Sequence, residues 1–515
     1  MRLAWESVMF LAIFVPKKGN NPCAFAWEDV FLRLNESGKT YSKITFKPNA
    51  MIEEIINNPL IQLLALSLSL IPLGVGIKKM VGSCIKKKNT LKAQKEAEQR
   101  KHFYSVLNSS EFQNWRDHVL RYLYGDKYFT KVFNVNFPAY IIKFDKYYDY
   151  KDFKQLYNKD DLTYNGVPLR ELRDKEINVP DIHDTEIVNN GTAHEVREKK
   201  RLIADYEKIL GKSVKYPKLI GFMLDHYLLN EKHQIQHIYP KIGDYALNLY
   251  SSHILEYELL RAYEKIGNKS LEDYNLWDYL PFRKYIHQPD AKGYNVENVI
   301  YTGIRRYSLF SVQCFLMFKD KDKNKYSTIL MRRATDPSKV SAKIGFYQFP
   351  PAGGFELYEK EDIHTGETII ENYSLRKAIF REYLEEIFGI EDFKGVDSTN
   401  KETTNNIIYH NEIQLILSMI ENGTATFELM GVAVDLVGLR HELSFILKID
   451  DESYSCNKQF CPNDEFTRTQ SIASKIRIPM DSLEELLNDN QKINQGSALL
   501  YHMAKEWCEQ QKVNL

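Results

Sequence analysis

The chain has 515 residues, with 69 Lys+Arg against 69 Asp+Glu, 43% hydrophobic and 27% charged. That length exceeds one ordinary domain, so about two or three are expected, and the apolar content excludes wholesale disorder. Zero net charge with a pI near 7.2 excludes bulk DNA or RNA as the main partner, since that binding needs excess cationic surface.

The first apolar run, Val8–Val15, is closed by Lys17 and Lys18. It reads as a first span, over 3–16, of a two-helix hairpin, or as the apolar part of a signal peptide with Ala24-Phe25-Ala26 as its cleavage site. The second run, 60–77, is uncharged. At 1.5 Å per residue its roughly 18 residues nearly match the hydrocarbon thickness of a bilayer, which predicts a transmembrane helix. Lys78, Lys79, Lys86, Lys87 and Lys88 follow it, as expected where a chain leaves the membrane on the cytoplasmic side. Residues 1–93 are therefore expected to be a membrane anchor with a basic linker, and the remainder to be cytoplasmic.

Residues 94–290 read as a mostly helical middle domain. Apolar residues recur at helical spacing in Leu219–Leu229 and in Tyr245–Lys265, where Leu247, Leu249, Ile254, Leu255, Leu259 and Leu260 form a face. Asn189-Asn190-Gly191 marks an exposed turn. Gly211-Lys212-Ser213 is not a phosphate loop, because Tyr206 stands where that motif needs glycine. His233 and His237 are not a zinc-protease pair, because Gln234 replaces the glutamate base. The six cysteines stand singly except for Cys456 and Cys461, which are too far apart for a CxxC knuckle, so neither a zinc ribbon nor a disulfide framework is supported.

Residues 291–515 change to strand texture. Tyr307–Phe318 and Ser327–Arg332 flank the turn-forming run Lys319–Lys325, which predicts a hairpin. Phe349-Pro350-Pro351-Ala352-Gly353-Gly354 follows, its paired glycines allowing close approach of the backbone to a ligand. A helix then runs from the N-cap Ser374 to Phe388, ended by Gly389. On it Glu382, Glu385 and Glu386 fall within an arc of about 100° and continue the apolar stripe of Leu375, Ala378 and Ile379. Carboxylates so close repel, and partial burial raises the cost unless a cation compensates. Mg²⁺ is the natural choice. Arg332, Arg333 and Arg381 are the candidate phosphate contacts.

This helix and the segment before it resemble the Nudix box, G-x5-E-x7-R-E-U-x-E-E-x-G-U with U apolar, through FPPAGG and REYLEE. The resemblance covers roughly 300–515, with Leu429–Asp435, His441–Ile449 and the segment Ile476–Leu487 as later strands and a closing helix. It implies an α/β/α sandwich in which Glu382, Glu385 and Glu386 are metal ligands and Arg381 orients them. If the domain is active, Glu385 and Glu386 carry the catalysis of nucleoside-diphosphate hydrolysis. An insertion over 357–372 stretches the loop before the helix. Tyr373 stands at the spacing of the box's first glutamate, for which Glu367 is the substitute. Binding is thus more readily retained than turnover, with Gly353, Gly354, Arg332, Arg333 and Arg381 as nucleotide contacts.

With an anchor in front, the chain also resembles the membrane-anchored Nudix effectors of bacterial cyclic-oligonucleotide antiphage signalling (CBASS). That resemblance implies an inner-membrane effector of antiviral defence whose C-terminal domains are cytoplasmic. It would sense a cyclic di- or trinucleotide made by a partner nucleotidyltransferase, assemble into a homo-oligomer and disrupt the bilayer, without binding nucleic acid. The alternative is a membrane-tethered, Mg²⁺-dependent hydrolase of a nucleoside diphosphate derivative.

Overall fold

The computed structural model describes residues 94–95, 97–210, 220–290, 293–321, 325–334, 345–357, 364–390, 405–456, 460–463, 466, 477–488 and 492–513. Helix α1 (Ser110–Tyr124), capped by the Ser109 side chain, leads to the long strand β1 (Ala139–Asp149) and to helix α2 (Ala193–Leu210). Strands β2 (Ile220–Leu229) and β3 (Ile235–Asp244) pair antiparallel. Helices α3 (Ile254–Ile266), α4 (Pro281–His287) and α5 (Val296–Tyr301) come next.

The C-terminal half opens with β4 (Phe310–Lys319) and β5 (Tyr326–Ile329), joined as the expected hairpin through Phe318↔Ser327 and Lys319↔Tyr326. Short strands β6 (Met331–Arg332) and β7 (Tyr347–Gln348) form a separate ribbon, and β8 (Ala352–Gly354) pairs with β4. Helices α6 (Gly366–Asn372), α7 (Leu375–Phe388) and α8 (Asn411–Glu421) precede the antiparallel pair β9 (Ala425–Asp435) and β10 (Arg440–Ile449). Strand β11 (Arg477–Pro479), helix α9 (Met480–Asn488) and helix α10 (Gln495–Gln510) close the chain.

One mixed sheet carries this order as β11-β5-β4-β10-β9-β1-β3, with β8 on β4, β2 on β3, and two short strands, Thr163–Tyr164 and Val167–Pro168, beyond β3. Its longest parallel pairing is β10 with β4, in register from His441↔Phe310 to Ile449↔Phe318, and β3 also runs parallel to β1 at Phe144↔Ile235. Strand side chains alternate between faces, so Val312, Cys314, Leu316 and Phe318 of β4 join one buried cluster and Phe315 and Met317 the other. Leu375, Ile379 and Tyr383 of α7 cover the first face. Leu499, Leu500 and Met503 of α10 cover the second. Each such buried Leu or Phe contributes on the order of 1.5–3 kcal/mol, which clamps α7 and the strands into fixed register.

Two parts of the expected architecture need correction. No helix among the described residues is long and apolar enough to cross a membrane, so the expected N-terminal transmembrane helix or hairpin is not supported. The 18-residue α2, for example, is studded with Glu195, Arg197, Glu198, Lys200 and Arg201, charges that a bilayer core rejects. The segments 3–16 and 60–77 on which the anchor rested lie outside the described residues, as does Gly211-Lys212-Ser213.

The middle has more helix than strand, but it also carries part of the sheet. Residues 139–244 contribute β1, β2 and β3, and β1 is stitched to β9 through Val432↔Ile142 and its neighbours. Leu219–Leu229 misled because β2 is apolar on both faces, burying Ile220, Phe222, Met223 and Leu224 in succession. Such a short continuous run has no period that separates strand from helix. His233 and His237 accordingly sit in the β2–β3 turn and on β3, with His237 Nε2 2.7 Å from Asp161 Oδ2. Tyr245–Lys265, by contrast, is helical throughout.

Candidate functional site

The site forms where α7 lies against β8. Ser374 Oγ accepts from Lys377 N at 3.4 Å, starting the helix, and Gly389 stops it at φ 63°, its N–H returned to Glu385 O at 3.1 Å. These local signals set the ends of α7, and burial of Leu375, Ile379 and Tyr383 sets its rotation, and with it the direction of Arg381, Glu382, Glu385 and Glu386. All four are buried.

Strand β8 supplies the opposite wall, and all three of its residues remain half-exposed. The Glu382 carboxylate lies directly over Gly353, where a β-carbon would come 2.1 Å from Glu382 Cδ. Arg381 Nη2 donates to Gly354 O at 3.0 Å and pairs with Glu382 Oε1. Its Nε lies 3.9 Å from Glu385 Oε1. Ala352 N donates to Glu386 Oε2 at 2.7 Å. Helix and strand are therefore cross-linked by charge-assisted bonds, the stronger kind in a buried setting.

A fourth carboxylate, Glu356, is also buried here, and a β-carbon on Gly354 would meet its Oε1 at 2.8 Å. The sequence reading missed it. The signal was present, because in the extended run Gly354-Phe355-Glu356 residues two apart share a face.

The donor set has the hard-oxygen chemistry of a Mg²⁺ site. Glu382 and Glu385 face Arg381, and Glu386 accepts from the Ala352 N–H. Among the described residues no group of three or more Asp, Glu, His or Cys side chains is placed to hold a metal ion.

Other expected contributors lie elsewhere. Arg332 Nε donates to Gly345 O at 3.0 Å and Arg333 Nη1 to Gln348 Oε1 at 2.8 Å, which ties both to the β6–β7 ribbon. Glu367, on the first turn of α6, makes a half-exposed pair with Arg173 at 3.5 Å. Tyr373 is core, its ring stacked on Phe355 and tilted against Phe222. Of the residues anticipated for the site, the structure brings together Gly353, Gly354, Arg381, Glu382, Glu385 and Glu386.

No protein-family model matches the chain, and no curated protein matches it.

Proposed function

We propose that the chain binds a nucleotide at the β8–α7 site and does not hydrolyse it. The observation that carries the reading is the close seating of Glu382 on Gly353. It sets the partly exposed residues of a glycine strand beside a buried row of carboxylates, and carboxylate oxygens can accept from the ring N–H, amino and hydroxyl groups of a nucleoside. The likeness of FPPAGG and REYLEE to a Nudix box supports a nucleotide as the ligand class. Absence of turnover is supported by Arg381 and the Ala352 N–H, which take up the carboxylates that a Nudix hydrolase would turn toward metal.

The narrower reading, sensing of a cyclic di- or trinucleotide in antiphage defence with self-association as the response, rests on the sequence resemblance alone. A ligand bridging two copies would favour the oligomer by mass action.

The test is titration of the full chain with linear and cyclic nucleotides, with and without Mg²⁺, followed by calorimetry, product analysis and light scattering. Saturable binding without product, weakened by Gly353→Ala, is the expected result. Mg²⁺-dependent product formation abolished by Glu385→Gln would overturn the proposal in favour of a hydrolase, and failure of every nucleotide to bind would end both readings.

A further inference from the structure

Arg306 lies in the turn between α5 and β4 and is 1% exposed. Its Nη2 donates to Val299 O at 2.8 Å and reaches His441 Nε2 at 3.5 Å. Nε and Nη1 are buried with no acceptor among the described residues. Of the five N–H groups a guanidinium carries, three are thus unmet.

Among the described residues the charge is unmet as well. Arginine does not give up its proton inside proteins, and burial pushes Arg306 down only to about 10. The groups acting on it most are the neutral Tyr124 and Tyr227 and a second cation, Arg283. Arg283 differs in having a carboxylate nearby, with Glu258 Oε2 3.9 Å from its Nε.

The neighbours register the same positive field. His441 and His287 are both held below the ordinary imidazole range, by burial first, with the Arg306 charge among the further causes. A neutral His441 accepts from Arg306 at Nε2, so its Nδ1–H donates to Tyr227 Oη at 3.0 Å. A water molecule could answer the unmet N–H groups but would leave the buried charge, which is the costlier of the two. A small anion answers both.

We propose that Arg306 marks a buried anion site, in which one small anion, a halide or a single oxyanion such as inorganic phosphate, sits against Nε and Nη1 where the turn before β4 meets β10 and β2. The anion is the counter-ion that lets the helices α4 and α5 close over the end of the sheet. The site is independent of the nucleotide reading, because it shares no residue with β8 or α7.

The full chain tests this directly. It would be melted at constant ionic strength while chloride, or separately inorganic phosphate, replaces a bulky sulfonate. The expected result is a melting temperature that climbs with one of them and saturates, as for any ligand bound only by the folded state, and that stays flat in Arg306→Met. A response to chloride alone identifies a halide site, and one to phosphate alone an oxyanion site. Ion chromatography of desalted, acid-denatured wild-type protein covers an anion too tightly held to exchange, and does not depend on the variant folding. One released chloride or phosphate per chain supports the site. Flat melting with no released anion overturns it, as does an undiminished anion response in Arg306→Met.

Discussion

Gly353 and Glu382 adjoin so closely that a methyl group on the glycine would stand 2.1 Å from the glutamate Cδ. The missing β-carbon is what allows α7 to lay its carboxylates on β8, so the glycine serves here by the space it leaves, at a position where its φ is not in the left-handed region.

Gly353→Ala is therefore expected to destabilise the protein by about 1–3 kcal/mol, the usual cost of forcing atoms into a packed site. Gly354→Ala should cost less, since its nearest contacts would be the Glu356 carboxylate at 2.8 Å and Leu309 Cδ2 at 3.2 Å, against 2.1 Å at Gly353. Urea unfolding of both variants checks the order. Equal losses would mean that Glu382 moves aside freely.

Arg381→Met removes the guanidinium that Glu382 and Glu385 face. Removing one partner of a buried pair costs about 3–5 kcal/mol because the other charge is left behind. Adding Glu382→Gln should return part of that loss. A double-mutant cycle measures the coupling, and additive losses would refute the pairing.

Acid should unfold the protein partly through His287. Burial, then the Arg283 charge, holds its pKa down to about 3, while the unfolded chain takes up the proton near pH 6.5. Its contribution is complete above about pH 6.5 and drains as pH falls toward 3. His287→Gln should flatten this acid limb in stability-versus-pH curves.

Glu258 works in the opposite direction. Burial raises its carboxyl to about 7 against the Arg283 charge, which lowers it. Its stabilising effect is whole below the unfolded pKa near 4.3 and is lost as pH climbs through 7. The difference between wild type and Glu258→Gln across that interval should carry this sign, and a flat difference would show that Glu258 is ionised in the fold at all these values.

A fragment limited to 291–515 should not fold cooperatively, because it would strip β1 from β9 and expose an edge of paired backbone. Residues 93–515 should melt as one unit. Calorimetry of the two chains decides the matter, and a sharp, reversible transition in the shorter one would contradict the shared sheet.

Much of the site was legible because its signals are local. Capping by Ser374, termination at Gly389 and the stripe of Glu382, Glu385 and Glu386 depend only on residues within a turn or two of helix, and the structure keeps all three. The β4–β5 hairpin was equally plain, since its strands are joined by one short turn.

Tertiary contact alone decided the rest. Whether Ile220–Leu229 is helix or strand, whether β1 belongs with β9, and which cation meets which carboxylate are settled by partners distant along the chain. The local pattern is compatible with several answers, and burial against a particular neighbour selects one. Arg306 shows this most clearly. In the sequence it is one of two adjacent arginines before a strand, and only the closing of α4, β2 and β10 around it turns a surface residue type into a buried positive charge.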